Sequence, residues 1–308
     1  MKQVIIPQKL EKITGSVLTL FPLLMAALVV EPYGLTMAAC LAALWWPMER
    51  AGLRVVGPVL ILLQDIALRH GNASGIVAAL LCVALIGEGL LLYSQQEKSR
   101  TIRLLGEKLR PPRTFYPGFS LGAAVMMALY QCSGYFAVGA SGAGILELLR
   151  SYRGLGFHAN WRTVFFSTVM LVILITWPRR FKRLSRMLPA GFVGLVTVTA
   201  LNYLLNPDPL RSTVLEFPAP WLPFFGRVPV SALSMLLIFA AWEELPWARL
   251  RECFKSPARG AVPIAVLVGL MLSFDLLWVL GGMAVVWGGV CVLRRNPWLP
   301  REGALPQR

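Results

Sequence analysis

Runs of 14 to 24 residues almost free of charge alternate with short polar or basic stretches along nearly the whole of this 308-residue chain. Apolar runs of that length are satisfied in hydrocarbon, and there only by helices that close their own backbone hydrogen bonds. The pattern predicts an all-α, polytopic helical membrane protein of about ten spans, some of them short or broken. The candidate spans are 13–31, 33–47, 55–68, 75–93, 115–138, 163–177, 189–205, 229–245, 261–275 and 277–293. Hydrophobic residues make up 56% and charged residues 15% of the chain, whereas a soluble domain carries roughly 25% charged residues. A disordered chain, a secreted disulfide scaffold and an ordinary cytosolic enzyme are excluded on these grounds.

The net charge of +15 is explained by orientation. If Lys2, Lys9 and Lys12 are cytoplasmic, every second loop should be basic. The inside loops are then those holding Arg50 and Arg54, residues 94–113, 178–188 and 246–260, and the tail, and they carry 24 of the 30 cations. The remaining six are Arg69, Arg150, Arg153, Arg162, Arg211 and Arg227. Basic charge distributed by topology gives no support to nucleic-acid binding, and no nucleic-acid partner is expected. The expected setting is the inner (cytoplasmic) membrane, with both termini inside and the basic loops against anionic headgroups of the lipid bilayer. The first apolar run lacks a small-residue cleavage pattern and is expected to stay as a span. Of the cysteines, Cys40, Cys82, Cys132 and Cys291 fall in spans and Cys253 in an inside loop, so no disulfide framework is implied. His70 and His158 are isolated, and no metal or other cofactor is expected.

Several runs are shorter than the roughly 20 residues an unkinked helix needs to cross. In VVGPVLIL, Gly57 and Pro58 suit a helix that begins within the membrane, its N–H groups and positive dipole end facing a cavity that holds an anion. A tilted or short helix in a thinned bilayer reads the same residues equally well. Between the fifth and sixth spans, GASGAGILELLRSYRGLGFHANW reads as an outer loop with a helical turn or an interfacial helix. Gly118, Gly122, Ala123 and Ala124 form a small-residue face suited to helix packing.

Carboxylates inside spans are costly and are functional candidates by default. Asp65 and Asp275 sit near outer span ends, where snorkelling explains them as well as function does. Glu88 lies one turn from an inner end. Glu243, in IFAAWEELPW, lies further from the basic loop than Glu244 and is a candidate proton-coupling group; the alternative is an interfacial pair meeting Arg249 or Arg251. No nucleophile elbow, phosphate loop or His-Cys-Asp constellation points to an enzyme.

These segments together resemble the sulfate permease (SulP) family of anion transporters. EPYGLTMAACLAALWW is similar to the family's turn into its second span, and VVGPVLIL to the start of its third half-helix. YPGFSLGAAVMMALYQCSGYFAV resembles the fifth span, with Gly118, Phe119, Gly122, Ala123 and Gln131 at the matching features. PRRFKRLSRMLPAGFVGLVTVTALNYLL resembles the basic loop and the seventh span, FPAPWLPFFGRVPVSAL with AAWEEL the eighth span and its carboxylate at Glu243, and RECFKSPARGAVPIAVLVGLMLSFDLLWVLGG the closing pair. The resemblance implies two inverted repeats, with an anion held between the third and tenth half-helices. It further implies a cytoplasmic N-terminus 1–12, a seven-span first repeat 13–205, an outer loop 206–228, a three-span remnant of the second repeat 229–293 and a tail 294–308. Four spans, the tenth half-helix among them, have no counterpart here, and a STAS domain is not expected. Losing an even number of spans preserves the orientation given by the charges.

Two functions are therefore open. One is a reduced anion carrier for sulfate, bicarbonate or a dicarboxylate, using Gly57, Pro58 and Gln131 for binding and Glu243 for coupling, with a second copy or another subunit completing the cavity. The other is a non-transporting membrane subunit or scaffold with a permease-like fold, whose exposed basic loops dock a membrane protein partner.

Overall fold

A helix that is apolar on every side must be surrounded on every side, and VSALSMLLIFAAWE is such a helix. In a computed structural model of the chain it forms the centre on which the others pack. The structure describes residues 8–28, 38–39, 41–45, 114–138, 142, 144–155, 160–205, 228–243, 245–274 and 276–295. In chain order these give α1 (Gln8–Leu28), α2 (Phe115–Phe136), α3 (Ile145–Leu155), α4 (Trp161–Arg180), α5 (Leu184–Met187), α6 (Ala190–Leu205), α7 (Val230–Glu243), α8 (Trp247–Phe254), α9 (Val262–Ser273) and α10 (Leu276–Arg295), with a π-helical turn at Pro257–Ala261. Among the described residues the architecture is all-α.

The central helix is α7, where every residue from Ser231 to Leu237 is buried. It lies against α1, α2, α4 and α6; α2 packs on its far side against α9, α4 packs against α6, and α3 rests on α2 and α9. The segments 13–205 and 229–293 thus share one core, with α7 inside the helices of the first.

Glycine opposite a flexible thioether sets how closely two of these pairs approach. A Cβ built on Gly122 of α2 would lie 2.5 Å from Met271 Sδ of α9, and one on Gly194 of α6 would lie 2.5 Å from Met170 Sδ of α4. Both methionines are fully buried, as are Met126 and Met127 of α2. An unbranched thioether fits the irregular space a missing side chain leaves, and small residues let helix backbones approach. The contacts also fix direction. Gly118 meets Ile264 and Leu267 while Gly122 meets Met271, so α2 and α9 run parallel. Gly134, near the end of α2, meets Val230 and Ser234 at the start of α7, so these two run antiparallel.

Most helix ends fall within three residues of the apolar runs. The start of α1 differs, since the helix begins at Gln8, five residues ahead of its run; at the sixth run, which stops at Trp177, α4 continues through Pro178 to Arg180 and reaches 20 residues. Pro178 removes only its own N–H, so the last turn persists. The helix then closes on Trp177, whose Nε1–H donates to the Leu188 carbonyl at 2.9 Å across the basic turn. Among the described residues α4 is the one helix long and apolar enough by itself to cross a membrane, with mean hydropathy 1.4. Residues 14–28, α6 and α9 are apolar but shorter, and α7 with α8 would qualify as one span bent by 58°.

The two kinds of glycine contact predict different tolerance. In Gly122→Ala the new methyl meets the mobile end of Met271, which can swing aside. In Gly260→Ala it meets the backbone carbonyl of Cys253, which cannot. Thermal unfolding of the purified chain should show Gly260→Ala losing stability on the scale of overpacking, about 1–3 kcal/mol, and Gly122→Ala losing much less. Equal losses would contradict this packing.

Candidate functional site

A hydroxyl buried in a helix ordinarily turns back to a carbonyl one turn earlier. The buried Thr163, Ser167 and Thr199 do so, as do the exposed Thr168 and Thr176, each donating at 2.7 Å. Ser231 and Ser234 do not: their Oγ atoms are buried without a hydrogen-bond partner, at 1% and 0% exposure. Ser231 is the second residue of α7, so no helical turn ahead of it supplies a carbonyl. Ser234, one turn on, faces Gly134 of α2. A buried hydroxyl left unpaired costs on the order of 1–3 kcal/mol, and such groups in native proteins ordinarily meet a water, an ion or a ligand.

These serines sit at the helix end best suited to negative charge. Ala232 and Leu233 donate to the Pro229 carbonyl, while the N–H groups of the residues before them have no acceptor within the helix. Val228 and Pro229 are buried, so this positive end of α7 lies inside the bundle. Gln131 of α2 is 5% exposed and stands one turn before Gly134. Buried N–H groups, two hydroxyls and a nearby carboxamide are donors of the kind that hold an oxyanion or halide without a metal. Among the described residues no three of His, Cys, Asp or Glu come together.

A further polar atom is buried at the same end of α2. The face of α3 formed by Ile145, Leu148 and Tyr152 packs inward, and Tyr152 Oη is buried without a hydrogen bond of ordinary geometry. Burial pushes its phenol up to about 12; the adjacent Ser133 opposes this and the Cys132 thiol adds to it. Ser133 Oγ itself donates to the Tyr130 carbonyl at 3.1 Å.

The site residues expected from the sequence are only partly brought together. Gln131 is buried beside the α2–α7 contact. Glu243 is the last residue of α7 and is exposed, roughly 18 Å along the helix from Ser231 at 1.5 Å per residue. It stands where the chain bends into α8, with Trp242 and Trp247 edge to face at 4.8 Å. Glu243 and Gln131 therefore belong to opposite ends of α7. Gly57 and Pro58 lie outside the described residues, as do Asp65, Glu88, Glu244, Asp275, His70 and His158. Ser231 and Ser234 were not singled out from the sequence. The signal for them was RVPVSALS, a proline-led helix start followed by serines on one side.

The Tyr152 environment gives a pH prediction. Its folded-state value of about 12 exceeds the ordinary 10, so folding favours the protonated phenol. That contribution is intact below pH 10 and is lost as pH rises through 12. Tyr152→Phe keeps the ring and deletes the buried hydroxyl. It should be no less stable than the natural chain at pH 7 and should lose less stability between pH 10 and 12 in melting experiments. Identical alkaline profiles would mean that this hydroxyl is not buried.

No protein-family model, no curated protein and no solved structure matches the chain.

Proposed function

We propose that this chain is a polytopic protein of the inner membrane, with about ten spans and both termini inside, whose interior binds and carries a small anion. The observation that carries this reading is the pair of unpartnered, buried hydroxyls, Ser231 and Ser234, at the buried N-terminal end of α7.

Several features support the membrane setting. At 1.5 Å per residue α4 is about 30 Å long, the thickness of a hydrocarbon layer, with Trp161 at one end and Trp177, Arg179 and Arg180 at the other. Large apolar side chains are exposed around the bundle, among them Phe165, Val172, Val266, Trp278 and Val285, while Gln131, Thr199, Asn202, Ser231 and Ser234 are buried. Apolar outside with polar inside suits lipid better than water. Ends that the charge pattern assigns to the same side also meet. Trp45 donates to Ser16 at 2.8 Å between inner ends, and Asn160 N–H donates to the Phe136 carbonyl at 3.1 Å between outer ends. The parallel α2–α9 pair and the antiparallel α2–α7 pair have the directions that the charge pattern requires.

Within this proposal the SulP resemblance suggests sulfate, bicarbonate or a dicarboxylate as substrate. In the family scheme the anion sits at the third and tenth half-helices; here the N-terminus of α7 supplies equivalent donors. Glu243, at the inner end of the same helix, is the proposed proton-coupling group. The second reading, a non-transporting membrane subunit, is favoured by the four spans that have no counterpart.

Thermal stability across sulfate, bicarbonate, chloride, nitrate and small dicarboxylates at matched ionic strength separates the two readings. A bound anion at a hundredfold over its Kd stabilises the fold by about 2.7 kcal/mol. One anion class should raise the melting temperature, and Ser231→Ala with Ser234→Ala, which delete the unpaired hydroxyls without adding volume, should abolish that rise while keeping the anion-free midpoint. A flat response to the whole panel would favour the non-transporting subunit. For coupling, Glu243→Gln should retain anion binding and lose the pH dependence of uptake; unchanged pH-dependent uptake would remove Glu243 from the mechanism.

A further inference from the structure

The inside loops account for most of the basic charge, but Arg150, Arg153 and Arg162 stand on the other side and need a separate explanation. All three gather at one end of α2. Tyr152 of α3 lies beside Cys132 and Ser133 in the last turns of α2, and the start of α4 is tied there by the Asn160–Phe136 hydrogen bond. Helix α3 turns Ile145, Leu148 and Tyr152 toward the bundle. At 100° per residue, positions 146, 149, 150 and 153 share one outward sector of roughly 100°. Leu146 and Leu149 are 50% and 43% exposed, and Arg150 and Arg153, also exposed, alternate with them across that sector. Glu147 is the only acid on the helix.

Helix electrostatics do not account for this arrangement. Arg153, in the last turn, complements the dipole of α3, but Arg150 is in mid-helix. Arg162 lies in the first turn of α4, where the positive helix end disfavours a cation, next to Trp161 at 79% exposure. Exposed leucines interleaved with guanidinium groups, level with an exposed tryptophan, fit the boundary between acyl chains and headgroups. There leucine enters hydrocarbon, tryptophan marks the interface and arginine pairs with phosphate in bidentate fashion.

We infer that the outward flank of α3 is a docking surface for phospholipid headgroups, with Arg150 and Arg153 on lipid phosphate and Leu146 and Leu149 in the acyl layer. By pinning α3 to the outer leaflet, the bilayer also holds Tyr152 over the end of α2 next to the start of α7. This rests on the membrane reading above. It is independent of anion binding inside the bundle.

The test uses the full chain in neutral detergent with added phosphatidylglycerol, phosphatidylcholine or inorganic phosphate, read as the melting temperature. Phosphatidylglycerol should raise it more than phosphatidylcholine, and inorganic phosphate at equal concentration should not reproduce the rise. Arg150→Gln with Arg153→Gln, and separately Leu146→Ser with Leu149→Ser, should keep the lipid-free midpoint and lose most of the lipid-dependent rise. Equal lipid responses in the natural chain and both variants, or no lipid response at all, would overturn the proposal. So would a full effect of free phosphate, or a homodimer that buries α3. A chain that stays monodisperse without detergent would instead remove the membrane reading itself, whereas a detergent-requiring chain with equal lipid responses would remove only the role of α3.

Discussion

Over Ser231–Leu237 helix α7 has no outward face, and that constraint organises the rest of the molecule. From Ser231 to Leu237 every side chain is enclosed, so α1, α2, α4 and α6 must each present a matching surface. Large residues cannot approach from four directions at once. The neighbours answer with Gly134 against Ser234 and Gly191 against Leu236. One layer further out, Gly122 and Gly194 receive the methionines of their own partners. Close packing of this kind gains dispersion contacts and leaves little slack.

The same enclosure gives the two serines their significance. On an exposed helix start Ser231 would be solvated, and its hydroxyl would call for no explanation. Inside the bundle, at the positive end of the central helix, it is a desolvated donor without an acceptor, and Ser234 one turn deeper repeats the arrangement. Burial makes an unsatisfied donor costly and equally makes it effective toward an anion, because no water competes. For the proposed carrier, transport adds a requirement that binding does not. Glu243 lies at the far end of α7, so any influence between it and Ser231 has to pass along a helix wedged among four others, moving as a rigid body rather than through direct contact.

Much of the helical framework was legible in the sequence because length, charge and hydropathy are local properties. The run at 115–138 appears as Phe115–Phe136 and that at 189–205 as Ala190–Leu205, and the amphipathic ILELLRSYRGL is a helix whose apolar third faces the bundle. Helix α4 runs three residues past its apolar run because Trp177 and the Leu188 carbonyl hold the last turn beyond a proline. The site was less legible, since it depends on which faces meet. Gln131 has an evident polarity against its apolar surroundings, but a serine two residues into a helix resembles any other small residue. Only the approach of Gly134 and the lack of a carbonyl ahead of Ser231 distinguish it. Glu243 stood out as a carboxylate in an apolar run, yet α7 ends at that residue and leaves it exposed.

The central claim is that an anion reaches the N-terminal end of α7 from the outer side and rests against Ser231. Replacing the five native cysteines with serine and introducing Ser231→Cys places one thiol at that point. Its rate of reaction with a membrane-impermeant thiol reagent can be followed in intact cells and in vesicles. The thiol should react from the outside, and the anion that stabilises the purified protein should slow that reaction in a concentration-dependent way. A thiol that reacts only from the inside, or at a rate indifferent to every anion, would contradict the claim.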